Sequence, residues 1–184
     1  NPPESWGGKL DPAEFPLMAQ AGFKSVRIPV KWSVMAADKK PFAVSPEFFS
    51  KVDGGVQAAL KAGLLVVLNI HHYDEMFSDP DGHWARFMAL WDQIARHYAS
   101  YPPELVFEIL NEPHDKLNVD VWNMLYPEAV GIIRKSNPDR AVVVDAADWG
   151  GAGGLARLKA QPKDSRLIFS FHHYQPFEFT HQGA

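Results

Sequence analysis

The chain is 184 residues long, a length typical of a single domain, and its hydrophobic content of 46% is enough for a substantial core. Its 18 basic and 22 acidic side chains are interspersed and give a formal net charge of −4, so neither a nucleic acid nor a membrane surface is expected as a partner. Cysteine is absent, which excludes disulfides, thiolate nucleophiles and cysteine-ligated metal sites.

Short apolar runs rich in β-branched residues recur along the chain and predict buried strands. The apolar stretches are strand-sized, so no transmembrane helix is predicted. The predicted strands are Ser25 to Val30, Leu64 to Ile70, Leu105 to Leu110, Ala141 to Val144 and Leu167 to Phe171.

Segments with helical spacing lie between these runs and have recognisable ends. Each of the first two begins at a capping residue followed by proline and ends at a glycine. A third carries an apolar stripe and is stopped by two prolines, and a fourth contains an internal proline that predicts a kink. The predicted helices are Asp11 to Gly22, Ser45 to Gly63, Trp84 to Tyr98 and about Asp120 to Ser136, with a short glycine-rich fifth around Gly150 to Lys159.

Alternation of apolar strands with helices predicts an α/β fold in which helices cover a parallel sheet. A doubly wound sheet usually has a glycine-rich turn after its first strand, and no such turn follows Val30. A site built from the ends of several strands is instead typical of a (β/α)₈ TIM barrel. Polar and aromatic residues follow strand after strand here: Lys31-Trp32, His71-His72-Tyr73, Asn111-Glu112, Asp145 and His172-His173-Tyr174. The predicted strands begin about 35 residues apart on average, so eight units would need roughly 280 residues. We therefore expect an incomplete barrel with five of its eight strands.

The stretch from Phe107 to His114 contains the strongest candidate for chemistry. An apolar strand delivers Glu112 at its end, and Pro113 stops the strand there. A carboxyl group partly removed from water at the mouth of a barrel can hold a proton near neutrality, as a general acid must. The adjacent Asn111 amide could bind a substrate hydroxyl. A helix cap or a surface ion pair is the alternative reading of a lone glutamate at this position.

Two charged residues within apolar runs predict buried ion pairs. Glu108 is expected to pair inside the barrel with Arg27 or Lys31. Arg27 could serve only as a structural partner, or it could also orient a catalytic carboxylate. The sequence leaves these two roles open.

Two adjacent histidine pairs follow strands, His71-His72 and His172-His173. Because neighbouring residues of a strand face opposite ways, each pair should send one ring into the site and the other outward. Metal binding is the rival interpretation, but bare histidine pairs are a weak signal and the H-E-x-x-H spacing is missing. No metal and no cofactor is therefore expected.

The tryptophans fall into two groups by position. Trp32 and Trp149 follow strand ends, where each could stack on a sugar face or form a half-buried lid over the barrel. Trp84, Trp91 and Trp122 lie within helical patterns and are expected in the core.

Four of these segments together resemble glycoside hydrolase family 5, especially its bacterial endoglucanases. The motifs occur in the family's order: Val26-Arg27-Ile28-Pro29-Val30, Asn69-Ile70-His71-His72-Tyr73, Ile109-Leu110-Asn111-Glu112-Pro113, and Phe171-His172-His173-Tyr174-Gln175-Pro176-Phe177. The Asn-Glu-Pro motif is shared with related barrel glycosidases, and the other three narrow the resemblance to this family.

The resemblance implies a retaining glycoside hydrolase with Glu112 as acid/base residue and Asn111 bound to the sugar 2-hydroxyl. It implies that Arg27 supports the nucleophile and that His71, His172 and Tyr174 shape the subsite at the scissile bond. The expected substrate-binding residues are Arg27, Trp32, His71, His72, Asn111, Trp149, His172 and Tyr174. The family's nucleophile is a glutamate on the seventh strand, which this sequence lacks, and Glu178 is not expected to replace it.

By this resemblance, residues 1–184 are one partial catalytic barrel holding about the second to sixth strands, and alone the chain should be inactive. The expected partner is a β-glucan polysaccharide or oligosaccharide, and the complete protein is expected to be a secreted monomer. Secretion follows from the family and not from any signal in the sequence. Alternatives are a non-catalytic carbohydrate-binding fragment that needs a partner segment, a β-mannanase or xyloglucanase of the same family, and metal-dependent hydrolysis.

Overall fold

The computed structural model describes residues 11–159 and 163–182. Its centre is a five-stranded sheet in the order β1-β2-β3-β4-β5, in which each strand pairs in parallel with the next. All five predicted strands are confirmed, with ends that differ by no more than two residues. They are β1 Ser25–Val30, β2 Leu65–Ile70, β3 Leu105–Glu108, β4 Val142–Asp145 and β5 Leu167–Ser170.

Helices connect the strands, and a 3₁₀ turn at Trp32–Met35 follows β1. The helices that cover the sheet and the short helices at its carboxyl end follow in chain order. They are α1 Glu14–Gln20, α2 Pro46–Lys61, α3 Asp74–Ser78, α4 Pro80–His97, α5 Val119–Arg134, α6 Ala147–Gly150, α7 Ala152–Leu155 and α8 Phe177–Thr180. Among the residues described, none of these helices has the length and apolar character needed to cross a membrane.

The predicted start of α2 at Ser45 is confirmed by a side-chain cap, whereas α1 begins without one and α4 begins at Pro80, four residues before the predicted Trp84. The Ser45 hydroxyl accepts a hydrogen bond from the N–H of Phe48 at 3.3 Å, and α2 ends just before Gly63, whose φ of +79° suits glycine. At α1, the Asp11 carboxylate accepts from the N–H of Ala13. The helix α5 continues through its internal proline and ends at Arg134. The short helix α3 was not predicted, because its five residues are too few to show a helical period.

Three buried tryptophans fix the carboxyl ends of three strands. The indole N–H groups of Trp32, Trp91 and Trp122 donate to backbone carbonyls at Asn69, Ile109 and Asp145 respectively, at 2.9–3.1 Å. Each indole packs in the core, and its N–H provides a hydrogen bond to a carbonyl at or just after the carboxyl end of a strand. The edge of the sheet that carries the polar residues is therefore rigidly supported from the helix side.

The opposite face of the sheet carries polar side chains. Apolar residues such as Leu68 and Phe107 face the helices, so strand alternation turns their neighbours Asn69 and Glu108 to the other face. The register pairs Asn69 with Glu108 and Asp145 with Ser170. Polar groups from neighbouring strands are thus brought side by side.

Candidate active site

The floor of the site is an ion pair between β1 and β3. The Arg27 guanidinium donates from Nε to one Glu108 carboxylate oxygen at 2.7 Å and from Nη2 to the other at 2.5 Å. Asn69, on the strand between them, donates to the same carboxylate at 3.1 Å. The prediction that Glu108 is a paired internal charge is confirmed. Its partner is Arg27, whereas Lys31 pairs with Asp74 at the surface.

The protonation of Arg27 follows from this pair. Burial by itself would lower the pKa of Arg27, but the hydrogen bonds and negative charge of Glu108 outweigh burial, so the pKa is raised. Arg27 is therefore a permanent cation at the floor of the site.

Asn111 lies above this pair with its amide oriented by Arg27. The Nη2 of Arg27 donates to the Asn111 side-chain oxygen at 2.7 Å. Because the oxygen is engaged by the cation, the orientation leaves the Asn111 NH₂ group as the donor available to a ligand. The Asn111 side chain is therefore suited to a hydroxyl acceptor.

Glu112 follows Asn111 in an unusual backbone conformation. Its φ is +46°, in the left-handed region that residues with side chains rarely adopt. The conformation is held by the backbone N–H of Glu112, which donates to the Asp145 carboxylate at 3.0 Å. The Glu112 carboxylate contacts Nδ1 of His172, and the Tyr174 hydroxyl lies 3.5 Å from the same oxygen. The structure therefore brings together Glu112, His172 and Tyr174, all three of which the sequence analysis assigned to the site.

Asp145 is a part of the site to which the sequence analysis assigned no role. Its carboxylate is buried and accepts from the N–H groups of Glu112 and Ala146 and from the hydroxyl of Ser170. Nε2 of His172 lies 3.2 Å from the oxygen that accepts from Glu112. Burial raises the pKa of Asp145, and these hydrogen bonds oppose that rise. Its position at the end of a predicted strand was the signal that could have found it.

His71 and His72 lie together at the end of β2. The Asn69 amide nitrogen lies 3.2 Å from Nδ1 of His71, which makes that ring nitrogen an acceptor and leaves the ring hydrogen on Nε2. Burial, assisted by the charge of Arg27, lowers the pKa of His71 to about 4, and burial also lowers the pKa of His72. His71 is therefore neutral near pH 7.

The predicted divergence of the first histidine pair is wrong. The His71 and His72 rings meet edge to face with centroids 4.6 Å apart, so they do not point to opposite sides. The reason is that β2 ends at Ile70, and strand alternation does not apply beyond it. The second pair behaves as predicted, with His172 against Glu112 and His173 exposed.

Trp149 forms the outer layer of an aromatic stack beside Glu112. Its ring lies parallel to His114 at 3.5 Å, and His114 in turn contacts Phe77 at 3.9 Å. Trp149 is 59% exposed, so its outer face is free for a flat ligand. His114 also faces the Glu112 carbonyl oxygen through Nδ1. No sequence pattern distinguishes His114 from ordinary surface histidines.

Trp32 corrects a sequence-based expectation. It is 0% exposed and packs against Phe48 and Phe49 of α2. Because no face of its indole reaches solvent, Trp32 can neither stack on a sugar nor act as a lid. The 3₁₀ turn after β1 folds it back into the core.

No group of three or more histidine, aspartate or glutamate side chains is arranged to hold a metal ion in the part of the chain that the structure describes.

The chain matches a family of known proteins over nearly its whole length. Residues 2–184 match the family described as "Cellulase (glycosyl hydrolase family 5)". The chain is 34% identical over 178 residues to Endoglucanase H of Acetivibrio thermocellus, and the aligned region spans 97% of this chain and 20% of that protein. It is 30% identical over 177 residues to Cellodextrinase A of Ruminococcus flavefaciens, and this aligned region spans 91% of the chain and 52% of that protein.

Solved structures agree with the family match. Endoglucanase Cel5A of the hyperthermophilic Thermotoga maritima superimposes with a TM-score of 0.95 at 45% identity, over 97% of this chain and 58% of that chain. Further solved structures are of Thermotoga maritima Cel5A in complex with cellobiose and with mannotriose. The predicted fold class is confirmed: the sheet and its helices are part of a (β/α)₈ barrel. The chain belongs to the cellulase family, glycosyl hydrolase family 5.

Proposed function

We propose that the protein hydrolyses internal β-1,4 bonds of a β-glucan with retention of configuration, and that Glu112 is its acid/base residue. The observation that carries the proposal is the placement of the Glu112 carboxyl. Glu112 follows β3, and its side chain is 19% exposed, in contact with His172 and near the hydroxyl of Tyr174. A carboxyl group that is reachable by substrate and held by neighbouring side chains is suited to give a proton to a leaving oxygen and to take one from water.

Asn111 and His71 are proposed to bind sugar hydroxyl groups beside Glu112. The orientation of Asn111 by Arg27 leaves an NH₂ donor, which we assign to the 2-hydroxyl of the sugar at the scissile bond. The neutral ring of His71, with its hydrogen on Nε2, supplies a second donor. Such donors help the reaction when their hydrogen bonds strengthen in the transition state.

A retaining reaction needs a second carboxyl group about 5 Å from the first. Two other carboxylates of the described residues border the site, and neither is free to attack a sugar. Asp145 is buried under its hydrogen bonds, and Glu108 is neutralised by Arg27. We therefore propose that the nucleophile is a glutamate outside the described residues, delivered when the barrel is complete. In this reading residues 1–184 are one part of a single catalytic barrel.

Trp149 and His72 are proposed to bind sugar rings on either side of the scissile bond. The outer face of Trp149 is exposed and its inner face rests on His114, so the platform is rigid. His72 is only partly buried and packs on His71. Aromatic and imidazole groups in these positions would hold a polysaccharide chain across the mouth of the barrel.

Substrate choice has two candidates. The endoglucanase relatives favour β-1,4-glucan, whereas the mannotriose complex of Thermotoga maritima Cel5A favours β-1,4-mannan as a second substrate. The two differ in the axial or equatorial 2-hydroxyl, the group assigned to Asn111. The ratio of kcat/KM on soluble β-glucan and on soluble mannan would rank them.

The test compares the 184-residue chain with a complete barrel that contains it, each as wild type, Glu112→Gln and Glu178→Gln. We expect reducing-sugar release only from the complete barrel, a loss of about 10²- to 10⁴-fold in Glu112→Gln, and normal rates in Glu178→Gln. NMR of the first product should show the anomeric configuration of the substrate. Activity that survives Glu112→Gln would overturn the assignment, and robust activity of the 184-residue chain would overturn the placement of the nucleophile.

A non-catalytic role makes a different prediction. If the chain only binds carbohydrate, calorimetry should detect binding of cello-oligosaccharides by the 184-residue chain while the complete barrel shows no turnover. Turnover that exhaustive chelation abolishes would favour the metal-dependent alternative. We further propose that the complete protein is a monomer that acts outside the cell, where its polysaccharide substrate is found.

A further inference from the structure

We propose that Asp145 is a positioning residue for the acid/base group: it holds Glu112 through the backbone and His172 through the ring, and so aims the Glu112 carboxyl at the leaving oxygen. The inference rests on the proposed role of Glu112. It extends that role to a buried carboxylate that is expected to touch no substrate.

The first hold is on the backbone of Glu112. One oxygen of Asp145 accepts the Glu112 N–H at 3.0 Å, at a residue whose φ is +46°. A left-handed backbone at a residue with a side chain persists only when its surroundings over-determine it. The direction in which the Glu112 side chain leaves the main chain therefore depends on this hydrogen bond.

The second hold is on the imidazole of His172. Its Nε2 lies 3.2 Å from the same Asp145 oxygen, while its Nδ1 contacts the Glu112 carboxylate. An ionised Asp145 can only accept, so it keeps a hydrogen on Nε2 and fixes the ring plane. With that hydrogen on Nε2, Nδ1 faces Glu112 as an acceptor while the Glu112 carboxyl is protonated, ready to act as an acid, and no proton needs to pass to Asp145.

Close packing makes the arrangement sensitive to small changes. The backbone N–H of His172 donates to the Gly150 carbonyl at 2.8 Å. A methyl group added at Gly150 would lie 3.1 Å from Cγ of His172 and 3.2 Å from Cγ of Glu112. Both side chains are thus confined between Asp145 and the backbone that follows β4.

Asparagine cannot replace Asp145, although it has nearly the same shape. The other oxygen of Asp145 accepts from the N–H of Ala146 at 3.1 Å and from the hydroxyl of Ser170 at 2.9 Å, so both oxygens are used as acceptors. An amide has one oxygen and one NH₂ group. In either orientation, Asp145→Asn sets its NH₂ against a backbone N–H, at Ala146 or at Glu112.

The experiment uses the complete barrel and two aryl cello-oligosaccharides, one with a good leaving group that needs no acid and one with a poor leaving group that does. We expect Asp145→Asn to lose about 10- to 100-fold in kcat on the poor leaving group, the size of effect that a displacement of about 1 Å can cause. On the good leaving group the first step should fall by less than about threefold. Ser170→Ala, which removes one donor to Asp145 and leaves Glu112 and His172 held, is the matched control and should change both rates together.

A second measurement does not depend on activity. In the ¹⁵N–¹H spectrum of the histidine rings, the Nε2–H signal of His172, assigned by its loss in His172→Gln, should be shifted downfield by the carboxylate and should move upfield in Asp145→Asn. If that variant does not fold, the wild-type spectrum still decides, because a His172 without hydrogen on Nε2 overturns the proposal.

The outcomes separate this inference from the proposed function. Equal losses on both substrates in Asp145→Asn, or no loss, would overturn the positioning role while Glu112 could still be the acid. If Glu112→Gln itself shows no dependence on the leaving group, the acid/base assignment fails first.

Discussion

Arg27 on β1 and Glu108 on β3 form a two-point ion pair that reaches across β2, with N–O distances of 2.7 and 2.5 Å. The pair closes the floor of the site and also sets the Asn111 amide above it. Arg27 therefore pairs with a buried carboxylate and also orients the Asn111 amide. The role that the sequence suggested for it, orienting a catalytic carboxylate, stays a prediction.

Substitution Arg27→Met should therefore destabilise the protein by leaving Glu108 as an unpaired buried charge. Removing one partner of a fully buried pair costs about 3–5 kcal/mol, and we expect about 2–3 kcal/mol here because the Arg27 side chain is 34% exposed while that of Glu108 is 4% exposed. Urea unfolding measures this change. The control Lys31→Met breaks an exposed pair with Asp74 and should cost less than about 1 kcal/mol. Equal losses in the two variants would contradict the prediction.

Stability should decrease on acidification because of His71. Its pKa is lowered to about 4 in the folded protein from an ordinary value of 6.5, so between these pH values the unfolded chain binds a proton that the folded chain does not. The contribution of neutral His71 is complete above about pH 6.5 and is lost as the pH falls towards 4. Urea unfolding at pH 7 and pH 5 should show a smaller decrease for His71→Gln than for the wild type. Parallel pH dependences in the two proteins would rule out this source.

Trp149 and Trp32 should respond in opposite ways to replacement by alanine. Trp149→Ala removes an exposed platform, so in the complete barrel the KM for a long β-glucan should rise about tenfold, equivalent to about 1.4 kcal/mol. Its free energy of unfolding should fall by no more than about 1.5 kcal/mol, the value of one aromatic stack. Trp32→Ala empties a core position and should lower the free energy of unfolding by about 3–5 kcal/mol. A KM effect in a folded Trp32→Phe variant would show that the buried indole affects binding after all.

Gly150→Ala should damage the site more than its size suggests. Gly150 has a φ of +69°, and an added methyl group would press on His172 and Glu112. We expect a loss of about 1 kcal/mol or more in the free energy of unfolding from the backbone conformation, together with a fall in the kcat of the complete barrel. Gly153→Ala is the matched control, since it lies in α7 with nothing within 4 Å of the added atom. Similar kcat values for both variants would argue against a tight Glu112–His172 contact.

The strands and the main site residue could be predicted because their signals are local. Buried parallel strands have nearly continuous apolar runs, and the residues that follow them collect at one edge of the sheet. Glu112, Asn111 and His172 are therefore placed together by strand order alone. The ion pair of Glu108 followed from the cost of leaving a charge unpaired among apolar neighbours.

Tertiary structure decided the rest, because it depends on atoms far apart in the chain. Trp32 follows a strand as Trp149 does, yet Trp32 is buried against α2. Trp149 instead rests one face on His114 and leaves the other face exposed to solvent. The histidines after β2 turn together because alternation stops where the ladder ends. Asp145 looked like one polar residue among several, and its importance appears only when Glu112 and His172 both fold against it. The sequence by itself determined which residue types reach the mouth of the barrel, and three-dimensional contacts determined which of them face the substrate and which hold the others in place.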